Sequence, residues 1–205
     1  MSSIFRQASF EISVASARQL PADEGYEVAF AGRSNAGKSS AINALTGNAR
    51  LARTSKTPGR TQQLNFFRLD PLRAIVDLPG YGFAKVPERV RQQWYSLIDG
   101  YLENRQALRG LVLIMDCRHP FGRFDDQILG WATVARLPVH ILLSKADKLG
   151  RNQQANTLRT VRKQLTGMEL DGSVQLFSAT RKMGIDELSA KLADWMELGP
   201  SDPAS

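Results

Sequence analysis

Gly32-Arg33-Ser34-Asn35-Ala36-Gly37-Lys38-Ser39 matches the pattern G-x-x-x-x-G-K-[ST] at every specified position. The run Glu27-Val28-Ala29-Phe30-Ala31 before it reads as a short apolar strand, and Ser40-Ala41-Ile42-Asn43-Ala44-Leu45 after it has helical character. The glycines therefore fall at a strand-to-helix turn, which gives the pattern its physical meaning. Gly32 and Gly37 let the backbone close around a phosphate, with the N–H groups of the loop and helix start aimed at anionic oxygens. In such a loop Lys38 reaches the β- and γ-phosphates and the Ser39 hydroxyl ligates Mg²⁺. The stretch predicts a nucleotide site.

Working outward, strands and helices alternate. Gln62 to Leu69 and Arg73 to Leu78 read as an antiparallel pair joined by the Asp70-Pro71-Leu72 turn. Val90, Trp94, Leu97 and Tyr101 recur at helical spacing, and Leu111 to Met115 is an uninterrupted apolar run of the kind a central parallel strand carries. Phe124, Ile128, Trp131 and Ala135 mark a helix, Val139 to Leu143 a strand, and Leu158, Val161 and Leu165 a helix. Val174 to Phe177 follows as a strand, and Ile185, Leu188, Leu192 and Trp195 as the last helix. The pattern predicts a three-layer α/β fold with a mixed, mostly parallel six-stranded sheet flanked by helices. Residues 1–26 have no sustained period and are expected as an arm packed on a domain of residues 27–198, with 199–205 a polar tail. Gly47 to Arg60 reads as a long basic loop.

Composition narrows the class. In 205 residues, 42% are hydrophobic and 23% charged, ordinary values for a globular protein, and no linker divides the chain. No apolar run approaches membrane-spanning length and the first residues lack a signal-peptide layout, so a cytoplasmic location with no membrane partner is expected. The single cysteine, Cys117, ends an apolar strand and reads as a buried thiol; His119 and His140 have no ligand-like spacing. The net charge of +7 suggests a polyanionic partner. Between Gly47 and Gly110 eleven Lys/Arg face five acids, and Lys148, Arg151, Arg159, Arg162 and Lys163 form a second cluster free of acids.

Ligands of such sheets bind beyond the carboxyl ends of the strands, and those ends carry further signatures. Asp77-Leu78-Pro79-Gly80 is a D-x-x-G, whose Asp can hold Mg²⁺ through a water and whose Gly80 N–H can read a γ-phosphate. In Ser144-Lys145-Ala146-Asp147 the carboxylate is suited to the paired N–H donors of guanine, which adenine lacks. Phe177-Ser178-Ala179 offers backbone N–H groups toward guanine O6. Together with the phosphate loop, these indicate a guanine-nucleotide site.

The order G-x-x-x-x-G-K-S, T-P-G-x-T, D-x-x-G, [NTS]-K-x-D, S-A resembles the translation-factor-related GTPases. The strings Ala31 to Ser40, Ser55-Lys56-Thr57-Pro58-Gly59-Arg60-Thr61-Gln62 and Asp77-Leu78-Pro79-Gly80-Tyr81-Gly82 resemble the EngB family of bacterial ribosome-biogenesis GTP-binding proteins, among the TrmE-Era-EngA-EngB-septin-like GTPases. The resemblance covers residues 5–198. It implies a P-loop NTPase of the Ras-like G-domain type, a monomer that binds GTP and GDP, works with the large ribosomal subunit or its precursor, and is linked to cell division and septation. It implies nucleotide contacts at Gly32 to Ser39, at Gly59, Arg60, Thr61, Gln62 and Gln63, at Asp77 to Gly80, at Ser144 to Asp147 and at Phe177 to Ala179. Mg²⁺ ligands fall on Ser39 and Thr61, and direct roles in catalysis on Lys38, Thr61 and Gly80. Ser144 departs from the usual Asn, or the Thr frequent in this family, and its short hydroxyl is expected to loosen the tie between base loop and phosphate loop.

Phosphoryl transfer to water needs charge neutralisation and a positioned water. Ras-like proteins supply the second with a Gln after D-x-x-G, where this chain has Tyr81. Slow intrinsic hydrolysis follows, completed by a partner or by K⁺ near Asn35. Thr57 to Thr61 and Tyr81 to Lys85 would be the switches. Two other classes remain open: a GTP-dependent binding module with negligible turnover, and an ATP-dependent phosphotransferase, against which Asp147 argues.

Overall fold

The Leu111–Met115 run forms the middle of β5 (Leu108–Asp116), each of its five side chains fully buried because helices cover both faces of the sheet. The computed structural model describes residues 3–52, 63–81 and 88–199. Around β5 lie β1 (Ser9–Val14), β2 (Tyr26–Gly32), β3 (Leu64–Arg68), β4 (Arg73–Asp77), β6 (Val139–Ser144) and β7 (Gly172–Leu176), in the spatial order β1-β3-β4-β2-β5-β6-β7. β3 pairs antiparallel with both β1 and β4; β4, β2, β5, β6 and β7 pair in parallel.

Among the described residues five α-helices sandwich the sheet. α1 (Lys38–Thr46) and α5 (Ile185–Trp195) bury Ile42, Leu45, Leu188 and Leu192 against Val28, Phe30 and Ile114. On the other face α2 (Glu88–Asn104), α3 (Arg123–Val134) and α4 (Arg151–Thr166) bury Leu97, Tyr101, Ile128, Val161 and Leu165 against Ala29, Val76 and Leu113. These are the stripes that helical spacing predicts. Trp94, Trp131 and Trp195 all pack against the two cores, partly buried.

Among the described residues the sheet has seven strands rather than the expected six, because the N-terminal segment, expected as an arm packed on the domain, pairs into the sheet. Ser9–Val14 is its edge strand, paired with β3 from Ser9 opposite Arg68 to Val14 opposite Leu64, with a register shift between Phe10 and Ile12. Glu11 and Arg68 form a cross-strand ion pair at 2.8 Å, and Ser13 Oγ donates to Asn65 Oδ1 at 2.6 Å. Only Val14 of β1 is fully buried, so the pattern that reveals other strands is missing; backbone pairing and Phe5, 0% exposed, hold it.

At the amino ends of β2 and β5 a buried carboxylate, Glu27, accepts hydrogen bonds from Arg105 Nε (3.0 Å) and Nη2 (2.6 Å) and from the Tyr101 hydroxyl (2.8 Å). Arg105 also donates to the Pro21 and Ala22 carbonyls at 2.8 and 2.9 Å. These three donors offset the desolvation of the carboxylate. The opposite, carboxyl ends of the strands are left for chemistry.

Candidate nucleotide-binding site

β2 ends at Gly32, where an added Cβ would lie 2.8 Å from the Ile114 carbonyl of β5, so the close approach of loop to sheet requires glycine. Gly37 caps α1 with φ +105°, a left-handed conformation that L side chains avoid. Between them Ala36 N–H closes a turn onto the Arg33 carbonyl at 3.0 Å. Lys38 opens the helix, and its ammonium is hydrogen-bonded to Asp77 Oδ1 at the end of β4. That ion pair ties the D-x-x-G aspartate to the first residue of the helix. Gly80 lies against the loop, its Cβ direction 3.5 Å from Ser34 Cα, and the Tyr81 carbonyl accepts the Ser34 N–H at 2.9 Å.

The base-side residues come from β6 and β7. Ser144 Oγ donates to the Ala36 carbonyl at 2.5 Å and lies 3.1 Å from the Met115 carbonyl, so the short hydroxyl does tie the base loop to the phosphate loop. Sequence reasoning expected that tie to loosen; close packing of Gly37 on Ser144 lets the shorter side chain span it, with an added Cβ on Gly37 only 3.6 Å from Ser144 Oγ. Lys145, at φ +57°, donates from Nζ to the Asn35 carbonyl (2.6 Å) and to Asp116 Oδ2 (3.0 Å). Asp147 accepts from Ser178 Oγ at 2.6 Å and Thr180 Oγ1 at 3.3 Å. The Ser178 bond holds its carboxyl below the usual carboxylate range, keeping it an anionic acceptor for paired N–H donors.

Of the three amides expected to face a base oxygen, two are committed elsewhere. Phe177 N–H donates to the Leu143 carbonyl (2.9 Å) and Ser178 N–H to the Met183 carbonyl (3.1 Å), because β7 and the turn after it use them. Ala146 N–H in turn donates to the Phe177 carbonyl at 3.1 Å. Gln63 is half-buried just before β3; Gly59, Arg60, Thr61 and Gln62, together with the greater part of both expected switches, lie outside the described residues.

Three residues that sequence reasoning did not single out complete the arrangement. Asp116, at the end of β5, holds Lys145 and also Arg118 (Nη2 to Oδ2, 2.6 Å); the Arg118 hydrogen bond holds its carboxyl well below the ordinary value. Thr180 supports Asp147. Asp125 accepts the Tyr81 hydroxyl at 2.8 Å, and burial pushes both that phenol and the Asp125 carboxyl upward. A polar signature at the end of β5, like those ending its neighbours, was the signal for Asp116; Asp125 had none.

A family model described as 50S ribosome-binding GTPase matches residues 27–145. The chain is 55% identical over 199 residues to the "Probable GTP-binding protein EngB" of Aromatoleum aromaticum, covering 97% of this chain and 92% of that one. It is 54% identical over 206 residues to the protein of the same description from Xanthomonas axonopodis pv. citri, covering 100% and 96%. The chain belongs to the EngB family of GTP-binding proteins. Its fold agrees with a crystal structure of a probable GTP-binding protein EngB at TM-score 0.66, with 22% identity over 83% of this chain and 98% of that one. A similar match, TM-score 0.64 with 20% identity over 86% and 58%, is to a point variant of Aquifex aeolicus Era bound to GDP·AlF4⁻. As an EngB family member the chain carries a GTPase domain, and the P-loop fold expected from Gly32 to Ser39 is the fold it has.

The charge expected to face a polyanion is smaller than a count suggests. Of the eleven basic residues in the middle third, Arg105 is buried on Glu27, Arg68 pairs with Glu11 and Arg73 with Asp70 at 2.9 Å. Arg50 and Arg109 are exposed, and Arg53, Lys56, Arg60 and Lys85 lie outside the described residues. Cys117 is buried as expected, with Sγ 3.3 Å from the Lys145 carbonyl. Among the described residues no helix is long and apolar enough to cross a membrane.

Proposed function

We propose that this EngB-family chain is a monomeric, slow GTPase that works in the cytoplasm as a nucleotide-gated switch in assembly of the large ribosomal subunit, with a link to cell division and septation. The observation that carries the slow rate is the burial of Tyr81. Its phenol points into the core and donates to Asp125, so no side chain directly after D-x-x-G is placed to orient a water.

In this reading Lys38 exchanges its ion pair with Asp77 for the β- and γ-phosphate oxygens, and the amides of Asn35, Gly37, Lys38 and Ser39 cradle the β-phosphate. Ser39 and Thr61 hold Mg²⁺, with Asp77 acting through a water. The Ser39 hydroxyl and the Asp77 carboxylate that Lys38 holds are hard oxygen donors of the kind this ion takes. Mg²⁺, when bound, neutralises charge on the phosphate oxygens. Gly80 N–H reads the γ-phosphate, Asp147 accepts from the guanine edge, and Ala179 N–H faces guanine O6. Asn35, exposed and at φ +63°, is the place for K⁺.

The ribosomal partner is supported by the 50S ribosome-binding character of the matching family and by the exposed basic residues, which GTP would present and GDP withdraw. Single-turnover GTP hydrolysis in Na⁺ and in K⁺, each with and without large ribosomal subunits, tests the whole reading. Acceleration by subunits is the expected result. A flat response with nucleotide binding intact would favour the binding module of negligible turnover. Equal retention on subunits with GDP and with a non-hydrolysable GTP analogue would defeat the gating.

A further inference from the structure

Asp125, in the first turn of α3, is 0% exposed, and its carboxylate joins three separate segments. Oδ1 accepts the Tyr81 hydroxyl at 2.8 Å. Oδ2 accepts the Gly122 N–H at 2.8 Å and lies 3.5 Å from Arg33 Nε, while Arg33 Nη2 donates to the His119 carbonyl at 2.7 Å. Gly122 packs against the same guanidinium, 2.8 Å from Nη1 to an added Cβ. Tyr81 is meanwhile held from its other side, its carbonyl accepting Ser34 N–H and its backbone bridging in parallel to Arg33. A closed ring thus runs from the phosphate loop through the residue after D-x-x-G to α3 and back through Arg33.

Neither helix capping nor packing requires this ring. An acidic side chain accepting the amide at the start of α3 satisfies the helix with Oδ2 alone. The Tyr81 ring, tilted against Phe124 with centroids 6.2 Å apart, would fill its volume equally well as phenylalanine. The hydroxyl-to-carboxylate bond and the approach of Arg33 are additional, and both act on residues that flank the place where a γ-phosphate would lie.

We propose that Tyr81 and Asp125 are positioning residues that set the preference for GTP over GDP. By pinning Tyr81 at its carbonyl and its hydroxyl, they fix the preceding residue Gly80, and with it the Gly80 N–H, against the phosphate loop. The inference rests on the reading that Gly80 N–H meets the γ-phosphate. GDP has no such group, so its affinity does not depend on the ring.

Equilibrium titration of the full chain with fluorescent GDP and with a fluorescent non-hydrolysable GTP analogue, both with Mg²⁺, tests the proposal in Tyr81→Phe, Asp125→Asn and the double variant. Loss of a buried hydrogen bond to a carboxylate is expected to weaken the analogue about 10-fold in Tyr81→Phe and leave GDP within about twofold. Asp125→Asn keeps a polar cap on α3 and is expected to show the same selective loss, with the double variant no worse than either single one. A parallel drop for both nucleotides, as a merely structural bond would give, or an unchanged ratio overturns the proposal. A wild-type chain that binds GDP but not the analogue overturns the γ-phosphate reading, and the proposal with it.

Discussion

Ser144 Oγ donates to the carbonyl of Ala36 at 2.5 Å, joining the end of β6 to the middle of the phosphate loop. With Lys145 Nζ on the neighbouring Asn35 carbonyl, this ties the loop after β6 to the phosphate loop at two adjacent carbonyls. The one proton of that hydroxyl serves the Ala36 carbonyl, with the Met115 carbonyl 3.1 Å from the same oxygen.

Ser144→Ala therefore leaves the Ala36 carbonyl without this donor. Because the loop serves either nucleotide, GDP and GTP affinities are expected to fall together, by about 10-fold. Ser144→Thr restores the hydroxyl and is expected to recover most of the loss. Titration with fluorescent nucleotides checks both.

Asp147 is an acceptor held ionised by Ser178. Asp147→Asn turns one of its oxygens into a donor facing the N–H edge of guanine, and GTP affinity is expected to fall about 100-fold. Xanthine carries a carbonyl where guanine has its 2-amino group, so the variant is expected to bind xanthosine triphosphate better than the wild type does. Competition titrations of the two nucleotides read the exchange directly.

Phe5 anchors the N-terminal segment in the core beneath α1 and α5. Phe5→Ala is expected to cost about 3–5 kcal/mol of folding stability, measured by urea denaturation, through lost burial and the cavity left behind. A loss this large would show that the segment before β2 is part of the folding unit; an arm merely resting on the surface would give almost none.

His140 is buried between Ser173 Oγ and Gln175 Oε1, each 2.8 Å from a ring nitrogen, and burial lowers its pKa from 6.5. The unfolded chain then binds a proton that the native chain does not. Stability is complete above pH 6.5 and is lost as pH falls from there through the lower folded value. Urea midpoints at neutral and mildly acidic pH are expected to show this fall, and His140→Gln to remove its share of it.

The local features were legible in the residues themselves. The phosphate loop, D-x-x-G and Ser144 to Asp147 are short patterns whose meaning depends on a few adjacent peptides and on lying at strand ends. The helical stripes and the apolar β5 run likewise follow from the pitch of one element facing a core. Only the tertiary structure decided which strand β1 joins, since an edge strand with one buried side chain is specified by backbone pairing to a partner some fifty residues away. The same holds for Arg105, whose charge the sequence counts toward a basic surface and the fold places on Glu27. It holds again for Tyr81, which the sequence shows only in the place of a water-orienting Gln and the fold makes one half of a buried pair with Asp125. Periodicity and motif are properties of neighbouring residues, whereas the partner of a charge or hydroxyl is fixed by contacts that exist only once distant segments have packed.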